Sequence, residues 1–216
     1  MADAPADQAI MLARAPAAAR PALAALFALD ATLGGILRST TQPIVGQMRL
    51  TWWRDALAAL DTAATVPAEP VLRALAGEVL RFAVTGAALA DLAEGWIVAL
   101  ADDLATPAVL DDYARGRGGT LFALAGWILG GAAPAGLADA GRGWALADLA
   151  RQVSEQTIAA AAGAAADLAL ADAFTGKWPR SHRSIGLLSL LAMLDRRQLS
   201  PSFRMLLVVR FEMTGR

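Results

Sequence analysis

The 216-residue sequence contains no cysteine. Disulfide frameworks, thiolate zinc sites, iron–sulfur ligation and cysteine nucleophiles are thereby excluded. It contains one histidine, His182, so a metal site built from several imidazoles is excluded too. His182 follows Pro179 and Ser181 in a basic turn, where a surface position is expected and no Ser-His-Asp arrangement is signalled. An excess of one charge is also lacking, since 19 basic residues against 20 acidic leave a formal −1. Proteins that neutralise many phosphates carry a basic excess, so no nucleic-acid partner is expected. There is no P-loop, and the glycines at 116, 118 and 119 follow no strand, which leaves a dinucleotide fingerprint unsupported. Met1 to Pro16 carries Asp3 and Asp7 but no basic segment leading into an apolar one. Neither a secretory signal nor a mitochondrial presequence is expected there.

What is present is apolar and helical. Apolar residues make up 56% of the chain and charged residues 18%, and the mean hydropathy is +0.46. A chain of this length and composition has surface enough to bury a core and offset its ordering entropy. Helical spacing recurs throughout and strand alternation hardly at all. Helices are expected over 22–37, 43–60, 71–84, 87–104, 108–115, 121–129, 184–194 and 202–213, with one long helix or two over 138–171. Pro21, Pro43 and Pro107 sit where a first helical turn tolerates proline. Gly118 to Ala138 is uncharged and approaches the ~20 residues of a membrane span, but its strongly apolar part, Leu121 to Leu129, is too short to cross. A buried core helix is expected there. The division expected is an N-terminal extension over 1–20 and a single helical domain over 21–216.

The acidic pairs Asp102-Asp103 and Asp111-Asp112 form the densest carboxylate cluster. Oxygen ligands of that kind suit Mg²⁺, but a helix end and a first helical turn are also ordinary places for acids. A solvated role is the expectation. In Arg49-Leu50-Thr51-Trp52-Trp53-Arg54-Asp55-Ala56-Leu57, adjacent tryptophans project about 100° apart on a helix, so one is expected inside and the other at a surface or interface. Val45, Met48, Leu50, Trp53 and Leu57 are expected to form the inward face.

This segment is also where the sequence resembles a known family. Leu26-Phe27-Ala28-Leu29 and Gln42 to Arg54 resemble the squalene/phytoene synthase family, most of all its branch near the mitochondrial complex I assembly factor of that fold. The resemblance continues at Tyr113 to Gly130 and at Gly143 to Gln152, covering about Leu23 to Ala160. It implies an all-α isoprenoid synthase-like bundle, here shortened. In active members, two Asp-x-x-x-Asp motifs on facing helices hold Mg²⁺ ions that draw diphosphate off two prenyl diphosphates. Carboxylates at i and i+4 share a helix face, and the metal neutralises the leaving group's charge.

Laid on this chain, the first motif falls at Gly34 and Arg38 and the second at Gln152 and Gln156. None of the four is a carboxylate. The basic residue expected ahead of the first motif is Ala31, and the Gln and Asn expected in the second helix are Ala145 and Asp148. Tyr113 and Arg151 match the family pattern and are the candidate substrate-binding residues. Asp30, Asp148 and Glu155 are the nearby acids that could substitute as ligands. The expected reading is a non-catalytic protein with no cofactor and a protein partner in assembling respiratory complex I. It would be cytoplasmic, with contact at the periphery of the inner membrane. The alternatives are a divergent Mg²⁺-dependent prenyltransferase of carotenoid, squalene or hopanoid formation, and an isoprenoid- or lipid-binding protein.

Overall fold

The computed structural model describes residues 6–62, 65–197 and 199–216, and among them there is no strand. Helix α1 spans Ala6–Arg14, α2 Arg20–Ser39 and α3 Pro43–Ala58. A short α4, Pro70–Ala74, runs on through a π turn and a 3₁₀ turn to Phe82, where Ala83 in the left-handed region stops it. Then come α5, Gly86–Val98, and α6, Pro107–Tyr113. A π-helical stretch, Ala114–Gly119, joins α6 directly to α7, Thr120–Leu129. The chain ends with α8 (Leu137–Gln152), α9 (Gln156–Ala173), α10 (Arg183–Arg196) and α11 (Pro201–Thr214).

Small residues decide how these helices meet. In α8, Gly143 lies against Leu170 of α9 so closely that a Cβ would come within 2.6 Å of Leu170 Cγ. The alanines of α9 that face inward, Ala162, Ala166 and Ala169, are buried against α8 and α10. α8 thereby packs on α9 on one side and on the π stretch and α10 on the others. Phe27 of α2 meets the Trp144 ring edge-on at 6.0 Å, and Phe122 of α7 lies 5.8 Å from it. A second aromatic group, Phe174, Trp178 and Phe211, closes the C-terminal end.

Three expectations are corrected. Residues 6–20 are no extension, because Met11 and Ala15 are buried in the core and α1 lies along α10; residues 1–5 fall outside those described. His182 is fully buried rather than at the surface, its Nδ1 against Ser181 Oγ and its other edge facing Gly126. Burial lowers its pKa, which favours the neutral ring. The stretch 138–171, for which one helix or two were expected, is two, divided at Val153–Glu155. In α3, Val45 and Met48 face outward; the inward stripe is Gly46, Leu50, Trp53 and Leu57. Reading by apolarity passes over Gly46, which is buried and lies against Leu100 and Thr40.

By length and composition one helix, Arg20–Ser39, is apolar enough to cross a membrane. It is instead lined with core residues and carries the buried Asp30. The run 121–129 is, as expected, the core helix α7.

Trp53 is 7% exposed and Trp52 51%, their rings edge-on at 5.4 Å. Trp53→Ala is expected to cost about 3–5 kcal/mol, the range for an emptied aromatic site. Trp52→Ala should cost about 1 kcal/mol or less, since it mainly loses the ring pair. Urea denaturation of the two variants checks the order; equal losses would refute the orientation of α3.

Candidate functional site

At the centre of the bundle an arginine is enclosed. Arg117 is 3% exposed and lies in the π stretch between Gly116 and Gly118. Two glycine contacts place it there. The backbones of Gly95 in α5 and Gly116 touch, so that a Cβ on Gly95 would fall 2.2 Å from a Gly116 backbone carbon. Gly118 and Gly141 of α8 are equally close, with 2.0 Å from a Gly118 Cβ to the Gly141 carbonyl oxygen. No residue with a side chain fits at either crossing. With α5 and α8 drawn in on both sides, the Arg117 side chain has only the bundle axis to occupy.

There the guanidinium joins two helices. Its Nε and Nη2 donate to both oxygens of Asp30 on α2, at 3.0 and 2.9 Å. Its Nη1 lies 2.8 Å from Asp148 Oδ2 on α8 and donates to the Tyr113 hydroxyl at 2.7 Å. Trp96 Nε1 donates to Asp30 at 2.8 Å. The Trp96 and Trp144 rings flank the cation, their centroids 4.1 and 4.8 Å from the guanidinium carbon. A bidentate carboxylate, a second carboxylate and two indole faces together answer the desolvation of a buried charge.

The protonation states follow. Burial alone would lower the Arg117 pKa, but Asp30, Tyr113 and Asp148 overcome it and hold the group well above its ordinary value. Burial alone would raise Asp148, but Arg117, with help from Gln152 and Arg151, holds it below the ordinary 3.8. Tyr113 is pushed up to about 12 by burial, against the opposing pull of Arg117. Arg117 is therefore a cation, Asp148 a carboxylate and Tyr113 a neutral phenol. Arg151 at the rim approaches Asp148 at 3.4 Å and is the second counter-ion.

The vacated motif positions lie one turn outward of this pair. Arg38 of α2 donates to the Gln152 side-chain oxygen of α8 at 3.0 Å, and Gln152 in turn donates to Asp148 at 2.8 Å. Positions 38 and 152 thus face each other, as the family motifs require. Gly34 and Gln156 do not complete the set. A Cβ on Gly34 would meet the Trp96 ring at 2.8 Å, and Gln156 begins a new helix, so 152 and 156 share no continuous helical face. Of the acids that could substitute, Asp30 is held by Trp96 and Arg117, Asp148 by Arg117, and Glu155 is exposed. Of the candidate substrate-binding residues, Tyr113 is fully enclosed beside Arg117, while Arg151 is half exposed.

A family model described as squalene/phytoene synthase matches residues 6–165, about three-quarters of the chain. The chain belongs to the squalene/phytoene synthase family. The all-α architecture agrees with that family's isoprenoid synthase-like fold. No curated protein and no solved structure matches it. Membership brings in the family's Mg²⁺, and these residues do not fit it. A hard dication needs several anionic oxygens around one point, whereas 34, 38, 152 and 156 supply a glycine, an arginine and two glutamines. Among the described residues no cluster of three acidic or histidine side chains is suited to a metal. The acidic pairs are engaged elsewhere or solvated: Asp111 with Arg115 and Arg142, Asp112 with Arg115, and Asp102 and Asp103 exposed.

Arg117, Trp96 and the partnership of Asp30 with Asp148 escape a reading confined to motif positions. The available signal was an arginine amid three glycines, Gly116, Gly118 and Gly119, leading into an apolar helix, a charge that nothing local explains.

Removing Arg117 leaves buried Asp30 without a cation and Asp148 with only Arg151 at the rim, so Arg117→Met is expected to destabilise by about 3–5 kcal/mol. Asp30→Asn/Arg117→Met/Asp148→Asn should recover much of that, since it neutralises the whole group and keeps an acceptor for Trp96. Because the folded pKa of Asp148 lies below its unfolded one, its contribution is present above the ordinary value and lost as pH falls through the lowered one. Denaturation midpoints of the native protein should therefore drop below about pH 4 and those of Asp148→Asn should drop less. Parallel pH curves would refute the pairing.

Proposed function

We propose that this protein is a non-catalytic member of its family and acts as a scaffold in assembling respiratory complex I. One observation carries the first half: the two helices that in active relatives are bridged by Mg²⁺ and diphosphate are bridged here by the Arg117 guanidinium. A fixed organic cation binds Asp30 and Asp148 together but has no open coordination position for a leaving group. Arg38 adds a second positive charge where a metal would have to approach, which disfavours the prenyltransferase reading.

The scaffold role and the branch near the complex I assembly factor rest on the resemblance in α3. The supporting feature is that this helix turns Ile44, Met48 and Trp52 to the outside, at 62, 67 and 51% exposure. Three large apolar groups one turn apart on an exposed face suit a protein contact. A place on the inner face of the respiratory membrane follows from that reading.

With farnesyl or geranylgeranyl diphosphate and Mg²⁺, diphosphate release is expected not to exceed the protein-free blank. Release that a chelator abolishes would overturn the non-catalytic reading. Affinity capture is expected to retain complex I subunits, and Met48→Ser/Trp52→Ser to lose them with the melting temperature little changed. Retention unaffected by that variant would overturn the role of α3.

Arg38→Asp/Gln152→Asp should convert the facing pair into carboxylates beside Asp148. The variant is expected to melt higher in Mg²⁺ by the mass action of a ligand that binds only the folded state, and the native protein is not. Equal responses would refute the facing arrangement as the vacated metal position.

A further inference from the structure

Charge is unevenly distributed along the chain. Residues 177–216 carry eight Lys/Arg and two Asp/Glu, although the whole chain is at −1. The two acids are spent locally, Asp195 on Arg204 and Glu212 on Arg14. Lys177, Arg180, Arg210 and Arg216 have no carboxylate within ion-pair distance among the described residues. With Arg183 they line an open concavity whose wall includes no acid.

Beside this concavity, α11 is inverted. A helix at the surface of a bundle ordinarily shows its polar side outward. Here Phe211 is buried, while Leu206, Val209 and Met213 are 60, 42 and 73% exposed. Spaced at i, i+3 and i+7, they form one ridge opposite Phe211, flanked by exposed Phe203 and Met205. Met213 belongs both to the ridge and to the wall of the basic concavity, so the two surfaces are continuous. They are also rigidly joined. Arg183 donates to the Glu212 and Met213 carbonyls at 2.6 and 3.1 Å, and Trp178 N–H donates to the Gly215 carbonyl at 2.9 Å.

We propose that the outer face of α11, with the cations beside it, is a docking surface for an anionic lipid bilayer. The argument is charge complementarity joined to shape. An exposed apolar ridge bordered by cations matches the layering of a bilayer surface, because the ridge can sink into the boundary between headgroups and acyl chains. Lys177, Arg180, Arg210 and Arg216 would then stand at the depth of the headgroup phosphates, where each cation strengthens binding. This surface lies apart from the Arg117 centre and does not depend on the chain being non-catalytic.

The test is co-sedimentation of the full chain with vesicles of phosphatidylcholine, with and without phosphatidylglycerol. Binding is expected to be at least about tenfold stronger to the anionic vesicles and to weaken as salt is added. Lys177→Glu/Arg210→Glu/Arg216→Glu should lower it roughly a hundredfold. Leu206→Ser/Met213→Ser should lower it on the same vesicles; both sets are exposed, so circular dichroism should be unchanged. Equal binding to the two vesicle types, or native binding by either variant, would overturn the proposal. Release from vesicles by millimolar inorganic diphosphate would overturn it in favour of a small-anion site. Release by polyglutamate at the same ionic strength would point to an acidic protein partner instead.

Discussion

The structure depends on a buried cation. Arg117 binds Asp30 of α2 and Asp148 of α8 at hydrogen-bond distance, and the packing around it serves that contact. A lone guanidinium in a bundle interior would not be tolerated, because its desolvation exceeds what any single neighbour returns. Here the neighbours are several and come from different directions: carboxylates in the plane of the fork, indoles above and below it, a phenol at its end. The glycines at 95, 116, 118 and 141 belong to the same design, because without backbone-to-backbone crossings the helices would stand too far apart to surround the group.

What holds the two central helices together decides whether the link between them can be exchanged. A metal with diphosphate is an exchangeable bridge, assembled with substrate and dismantled with product. A side chain is permanent. The bundle here is closed on itself, and its outward surfaces, the α3 face and the α11 face, are left as the places where it can meet other molecules.

Much of the fold was legible because helical spacing, proline at first turns and the apolar run 121–129 each report on local conformation. The departures have physical causes of another kind. Met11 belongs to a helix whose partner, α10, is more than 160 residues distant, and a short segment shows no such partner in its own composition. His182 sits among polar residues in sequence and under α7 in space. Val45 and Met48 were placed inward because glycine does not register as a packing residue. At the centre, the facing of Arg38 and Gln152 was legible from the family motifs. The bridge that Arg117 makes was not, since that residue is separated by 87 positions from one carboxylate and belongs to no motif.

The permanence of the Arg117 bridge also bears on ancestry. Removing the arginine first strands Asp30; removing either acid first strands the arginine; Gly34 is barred from gaining a side chain while Trp96 occupies its present place. Each single step costs about as much as a domain of this size has to spare. A lineage that has acquired such a guanidinium is therefore separated from sequences without it by a valley that one-step change does not cross, and the bridge becomes an evolutionary ratchet.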